Sequence, residues 1–339
     1  MSDTAPTDDH KADLVLEGGG VKGIALAGAV SVLEERGYEF PRVAGTSAGA
    51  IVGALVAAGV KAADLTALME SLDYGRFKDQ STFDRIPLLG KAASLLFAKG
   101  IYEGNHLRVW LAGELERCGV ERFGDLRRTD ERSTLAPHED FRLVVMASDV
   151  SAGRLRRIPW ECEAIYGVDP AEVAVADAVR ASMSIPFFFE PVVAKHATNG
   201  EKTWLVDGGM LSNFPVDVFD RTDGKPPRWP TFGIKLSMRA KDLQAVRYKV
   251  SNTFTLARAL VGTMTSWYDR MHLDAADVLA RTIFVDTFGV SSTDFDLDRA
   301  TAKKLYDSGR EAATRFLDGD GDQPGWDFDR YVEQFRPPG

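Results

Sequence analysis

Short apolar runs that end at glycine alternate with longer stretches of helical spacing through the first sixty residues. Leu14-Val15-Leu16 is apolar and runs into glycines, which predicts a buried strand followed by a tight turn. From Val21 to Arg36 the apolar positions Ile24, Leu26, Ala27, Val30 and Leu33 recur at helical spacing, and Gly37 stands where a C-terminal cap belongs. A second short strand is expected at Arg42 to Ala44. Ala48 to Val60 then contains no polar residue, yet it is shorter than a membrane span requires, so it reads as a helix buried on all sides. Strand, helix, strand and helix in this order imply a parallel sheet.

The pattern is less regular beyond this unit. Ala62 to Glu139 reads as mostly helical and irregular, and within it Ile86 to Tyr102 carries an apolar load that fits either a core helix or a lid or lipid-facing element. Phe141 to Ala147 predicts a strand, with Arg154 to Pro159 returning as its partner. Val173 to Met183 predicts a helix, followed by the apolar, non-helical Ile185 to Pro191. Further strands are expected at Pro191 to Ala194, Thr203 to Val206, Thr231 to Leu236 and Ile283 to Asp286, and helical patterns fill Tyr248 to Ala280 and Arg299 to Leu317. No internal repeat is visible.

Composition narrows the classes. With 339 residues, 45% hydrophobic and 27% charged, the chain has the profile of an ordinary folded protein. A formal net charge of −9 argues against a global attraction to nucleic acid or to anionic bilayers, although Arg154-Leu155-Arg156-Arg157 is locally basic. Two cysteines, Cys118 and Cys162, are too few for a disulfide framework and lack metal-ligand spacing. Met1 to Asp13 lacks the basic start and apolar core of a secretory signal, so a cytoplasmic location without a membrane span is expected. Asp318, Asp320 and Asp322 open like a calcium loop, but Gln323 stands where the turn glycine belongs and Asp329 where the bidentate Glu belongs. A solvated acidic loop is expected there, and no metal.

The candidate chemistry centres on Ser47, in Gly45-Thr46-Ser47-Ala48-Gly49 between an apolar strand and the buried helix. A serine on a sharp strand-to-helix turn is exposed for attack, and the helix aims its positive end at developing negative charge. Upstream, Gly18-Gly19-Gly20-Val21-Lys22-Gly23 also matches a dinucleotide fingerprint, but the next strand ends in Gly45-Thr46-Ser47 where an acidic ribose ligand is required. Those glycines are better used to bring backbone N–H groups close to a reacting oxygen. The base is the open question. None of His10, His106, His138, His196 and His272 lies in a glycine-rich strand-end turn, whereas Asp207 follows Trp204-Leu205-Val206 and precedes Gly208-Gly209. Asp-Gly-Gly is also an ordinary turn signature.

Taken together, the three glycine-bearing motifs resemble those of the patatin-like phospholipases, lipid acyl hydrolases with a Ser-Asp dyad. The resemblance covers about Ala12 to Met238 and includes Ala181-Ser182-Met183-Ser184-Ile185-Pro186 ahead of the aspartate; Glu17 and Lys22 stand where the family frequently has Asp and Arg. It implies a three-layer α/β/α fold with a central, mostly parallel sheet and a nucleophile elbow. The catalytic domain would then occupy residues 12–317, its motif-bearing core 12–238 followed by a C-terminal strand and helices over 239–317. A disordered tail at 1–11 and an acidic, aromatic tail at 318–339 would flank it. The resemblance further makes Ser47 the nucleophile and Asp207 the base, in an elbow formed with Gly45, Thr46, Ala48 and Gly49. Gly18, Gly19, Gly20, Lys22 and Gly23 form the oxyanion loop, and Gly208 and Gly209 the acid turn, with no cofactor. The implied substrate is a phospholipid or other acyl ester. A non-catalytic lipid- or partner-binding module on the same scaffold is the alternative. Leu88 to Tyr102 and the stripe from Phe254 to Met271 are the candidates for peripheral membrane contact, against a core role.

Overall fold

The computed structural model describes residues 8, 10–71, 104–128, 130, 133, 135–237, 250, 259, 263, 275–292, 294, 297–321 and 323–337. Strand β1 (Asp13–Leu16) leads through a turn of 3-10 helix at Gly20–Lys22 into α1 (Gly23–Glu35). Strand β2 (Val43–Thr46) meets α2 (Ala48–Ala57) at Ser47. Helices α3 (Ala62–Ser71) and α4 (Asn105–Arg117) precede β3 (Leu143–Asp149) and its hairpin partner β4 (Arg154–Ile158). Then come α5 (Cys162–Tyr166), α6 (Val175–Ser182), β5 (Val192–Lys195), β6 (Lys202–Asp207) and β7 (Thr231–Lys235). The described chain closes with α7 (Ala276–Ala280), β8 (Thr282–Phe284), α8 (Arg299–Asp318) and α9 (Phe328–Phe335).

These elements form a three-layer α/β/α fold around an eight-stranded mixed sheet of order β5-β6-β3-β2-β1-β7-β8, with β4 also paired to β3. The ladders joining β1, β2, β3, β7 and β8 are parallel; those involving β4, β5 and β6 are antiparallel. All four residues of β1 and of β2 are buried, as strands covered on both faces must be. Strand β2 runs two residues past its expected end, because Gly45 and Thr46 still pair with Val145 and Met146.

Helix α2 is buried along its whole length, as its uninterrupted apolar sequence predicts. Helices α1 and α8 approach so closely that a Cβ on Gly309 would lie 2.0 Å from the Ala25 carbonyl oxygen, and one on Gly28 2.1 Å from that of Tyr306. Within the acidic, aromatic tail, Asp327 caps α9 by accepting from the Arg330 N–H at 2.7 Å, and Trp326 stacks on Phe316 with ring centroids 5.3 Å apart. Ile86 to Tyr102 and, but for two positions, Phe254 to Met271 lie outside the described residues. Among the described residues no helix is long and apolar enough to cross a membrane.

The helix crossing makes a direct test. Gly309→Ala is expected to lower the unfolding free energy by about 1–3 kcal/mol through overpacking. Gly113→Ala, on a helix where a Cβ meets nothing within 4 Å, is expected to raise it by about 0.5–1 kcal/mol. Denaturant midpoints that move alike in both variants would contradict this packing.

Candidate active site

Strand β3 changes neighbour halfway along one edge. Its first half carries β2, in a parallel register that ends with Thr46 beside Met146. Its second half carries β6, in an antiparallel register that ends with Asp207 beside Ala147. Strand β4 pairs with both Val145-Met146 and Ala147-Ser148-Asp149, so β2 and β6 must share the opposite edge. The two strands therefore point at each other tip to tip. Ser47, one residue beyond β2, is brought to Asp207, and a Cβ on Gly208 would touch the Thr46 methyl at 3.0 Å.

The turn at Ser47 is tight and strained. Ser47 has φ 52° and ψ −122°, a backbone conformation that non-glycine residues rarely adopt and that costs on the order of 1–3 kcal/mol. Room for it comes from the flanking glycines: a Cβ on Gly45 would sit 2.2 Å from the Gly49 carbonyl oxygen, and one on Gly49 2.2 Å from that of Leu16. Ser47 is 4% exposed, not open to solvent as the sharp turn alone predicts, because Gly18 and Met183 pack against it; it stands as N-cap of α2, so the positive end of that helix lies against it. Thr46 is fully buried beneath the turn.

The upstream glycine loop lies against this elbow. A Cβ on Gly18 would be 3.1 Å from the Ser47 Cβ, and one on Gly23 3.3 Å from that of Ala48. Most of the loop's N–H groups are already engaged: Gly18 donates to the Asn213 carbonyl (3.3 Å), Val21 to that of Ser292 (3.2 Å) and Lys22 to that of Gly19 (3.2 Å). Gly23 donates to Gly20. Among the described residues the N–H groups of Gly19, Gly20 and Ala48 make no hydrogen bond, and they remain free to receive an anionic oxygen.

Asp207 is 6% exposed and forms no ion pair among the described residues. Burial pushes its carboxyl up to about 6, opposed by hydrogen bonds from the Ser47 side chain and from the Gly209 N–H, the latter at 2.8 Å. A carboxylate in this state is a far better proton acceptor than one in water. The Ser47 hydroxyl also lies 3.4 Å from the Met183 sulfur. No histidine among the described residues bonds to either side chain, and His272 lies outside them. Lys22 is half-buried; burial pulls its ammonium below the ordinary lysine range, with the charge of Glu17 opposing and that of Lys235 adding. Glu17 itself is buried, bonded to Lys235 and to the Leu236 N–H.

Two groups of residues join the site from outside the three glycine-bearing motifs: Asn213, which the sequence did not single out, and the Ser182-Met183-Ser184 segment, which the resemblance included without a role. Asn213 donates from Nδ2 to the Gly18 carbonyl at 2.9 Å, and so ties the turn after β6 to the glycine loop after β1. Ser182 accepts the Ser47 N–H at 2.8 Å, and the Ser184 carbonyl accepts the Asp207 N–H at 2.9 Å. A signal was available for the second group: two serines in an otherwise apolar stretch at the end of a helix need buried partners. Asn213 carried no comparable mark.

The patatin-like phospholipase family model matches residues 14–220. An uncharacterised protein of Bacillus subtilis, YqhO, is 38% identical over 306 residues, covering 90% of this chain and 97% of that one. The lysophospholipase nte1 of Aspergillus fumigatus is 30% identical over 205 residues, 60% of this chain but 11% of the relative's length. Among solved structures, VipD from Legionella pneumophila superposes with a TM-score of 0.49 at 17% identity, covering 90% of this chain and 66% of that one.

Proposed function

The chain belongs to the patatin-like phospholipase family, and from that premise we propose that it cleaves fatty-acyl ester bonds of phospholipids or lysophospholipids through a Ser47-Asp207 dyad. The observation that carries this reading is the tip-to-tip meeting of β2 and β6 on one edge of β3, which sets a strained, helix-capping serine beside a buried carboxylate that has no ion pair among the described residues. The lysophospholipase name of the fungal relative points the same way for substrate class.

In this mechanism Asp207 takes the Ser47 proton as Oγ attacks the ester carbon. Burial, with no ion-pair partner among the described residues, gives the carboxylate the affinity to do so. The tetrahedral oxyanion is received by the free N–H groups of Gly19, Gly20 and Ala48, and by the positive end of α2. Collapse breaks the bond to the leaving oxygen, which takes the proton held by Asp207 and departs as the alcohol, leaving an acyl-Ser47. Asp207 then draws a proton from the attacking water, and collapse of the second tetrahedral intermediate returns that proton to Ser47 Oγ and releases the fatty acid. The proposed oxyanion donors are thus narrower than the whole Gly18 to Gly23 loop.

Loss of the nucleophile is decisive. Ser47→Ala is expected to abolish labelling by a fluorophosphonate probe and to lower kcat on acyl esters by at least about 1,000-fold. Undiminished labelling would refute the assignment. Mass spectrometry of a total lipid extract, wild type against Asp207→Ala, should show free fatty acid and the matching deacylated lipid only with the wild type.

The pH dependence follows from the state of Asp207. Below about 6 the carboxyl keeps its proton and cannot act as base, so kcat/KM should rise through an acid limb centred near 6. The same shift bears on stability with opposite sign. A carboxyl raised from 3.8 to about 6 binds its proton more tightly in the folded state, so folding stability falls as pH rises across that interval, by about 3 kcal/mol in total. Asp207→Asn is therefore expected to be inactive yet to melt higher than wild type at pH 8. A lower Tm at that pH would show that Asp207 is not held at a cost.

A further inference from the structure

We infer that Ser182 is a positioning residue for Ser47, and that the tripeptide Ser182-Met183-Ser184 sets the separation between nucleophile and base. This rests on the hydrolase reading above and extends it to a segment outside the three glycine-bearing motifs.

The Ser47 N–H is the difficult group. It precedes the helix that Ser47 caps, so no backbone carbonyl of α2 can take it, and Ser47 is 4% exposed, so water does not satisfy it. Its acceptor is the hydroxyl oxygen of Ser182, at 2.8 Å. Ser182 is fully buried and ends α6, so its hydroxyl is presented from a rigid element. Without that acceptor the strained turn would carry a buried, unmatched donor as well as its backbone strain, and Ser47 would relax toward an ordinary conformation.

Two residues on, the same segment holds the base. The Ser184 carbonyl accepts the Asp207 N–H at 2.9 Å, while the Ser184 hydroxyl accepts from Arg180 Nη1 at 2.6 Å and donates back to the Arg180 carbonyl at 3.1 Å. Between them, the Met183 sulfur lies 3.4 Å from the Ser47 Oγ. Three consecutive residues thus touch the main chain of the nucleophile, its side chain, and the main chain of the base. A dyad has no third catalytic residue to orient the second, so a rigid segment bonded to both is the available substitute.

The control is a serine with a similar burden elsewhere. Ser31 is buried in α1, donates to the Gly28 carbonyl at 2.7 Å and accepts from Arg310 at 2.7 Å. If buried hydroxyls matter only for stability, Ser182→Ala and Ser31→Ala should behave alike. The full chain is assayed with a soluble p-nitrophenyl acyl ester and a fluorophosphonate probe, per folded molecule as judged by circular dichroism.

Ser182→Ala is expected to lower kcat by about 10- to 100-fold, the scale of a small misplacement of the attacking atom, and to slow labelling in proportion. Its KM should stay within about twofold, because ester binding is untouched. Ser182→Cys keeps a weak acceptor and should fall between. Ser31→Ala should melt lower and keep the wild-type kcat. Wild-type kcat in Ser182→Ala, or equal losses in the two alanine variants, overturns the inference alone, since wild-type labelling at Ser47 would still stand. A wild-type chain that the probe does not label removes the hydrolase reading, and this inference with it.

Discussion

The site depends on one exchange of partners along the edge of β3. A strand pairs with a single neighbour over any stretch of an edge, so β2 has to stop before β6 can begin. It stops because Gly45 and Gly49 let the chain fold back over β1 where any side chain would collide with backbone oxygen. Strand β6 stops one step away, where the Asp207 carboxylate caps the 3-10 turn at Gly208–Met210 by accepting from Gly209. Each tip is closed by its own local chemistry. Their meeting is a consequence of register on a third strand, and so it is as rigid as the sheet.

Asp207 shows what such a meeting can supply. A carboxylate in water is too weak a base for a serine hydroxyl, and a histidine normally fills the role. Here the sheet interior does the adjustment: the carboxyl is buried with no ion-pair partner among the described residues, and two hydrogen bonds moderate the effect without cancelling it. The turn that would be read as an ordinary Asx turn also fixes the orientation of the carboxylate that the proposed mechanism uses as its base.

The local parts of this arrangement were legible from the chain, and the reasons are physical. Gly45 to Gly49 could be read because strand, turn and helix are adjacent in sequence, and α2 because thirteen residues without a polar side chain admit few environments. The β3–β4 hairpin was legible because its strands are adjacent in sequence, but the places of β5 and β6 were not: they carry no mark that tells which edge they join, and β3 pairs across distances that periodicity does not encode. Asn213 escaped for a similar reason, since its partner Gly18 is 195 residues away and an asparagine in a turn is usually explained by the turn itself. The aromatic residues of the tail gave no hint of their target until Trp326 was seen against Phe232 and Phe316.

Charge is distributed across the sheet in a way that separates holding from reacting. At the end where β1, β2 and β8 begin, Asp13 pairs with Arg42, and Asp220 gathers Arg281 at 2.7 Å and Arg336 at 2.9 Å. Those carboxylates are matched by cations and can tie loops together without reactivity. At the other end, Asp207 and Lys22 have no ion-pair partner among the described residues, and burial moves each toward its neutral form. A matched charge is stable and inert; an unmatched one keeps an unmet affinity for a proton or for a counter-charge. The fold can keep an unmatched carboxylate at the tip of β6 because the strain and desolvation are confined to a few residues. These are clamped from three sides, by β3, by the Asn213 bond to the glycine loop, and by the segment that follows α6. Relieving any one of them would let the carboxylate find water, and with water its strength as a base would fall back to that of an ordinary aspartate.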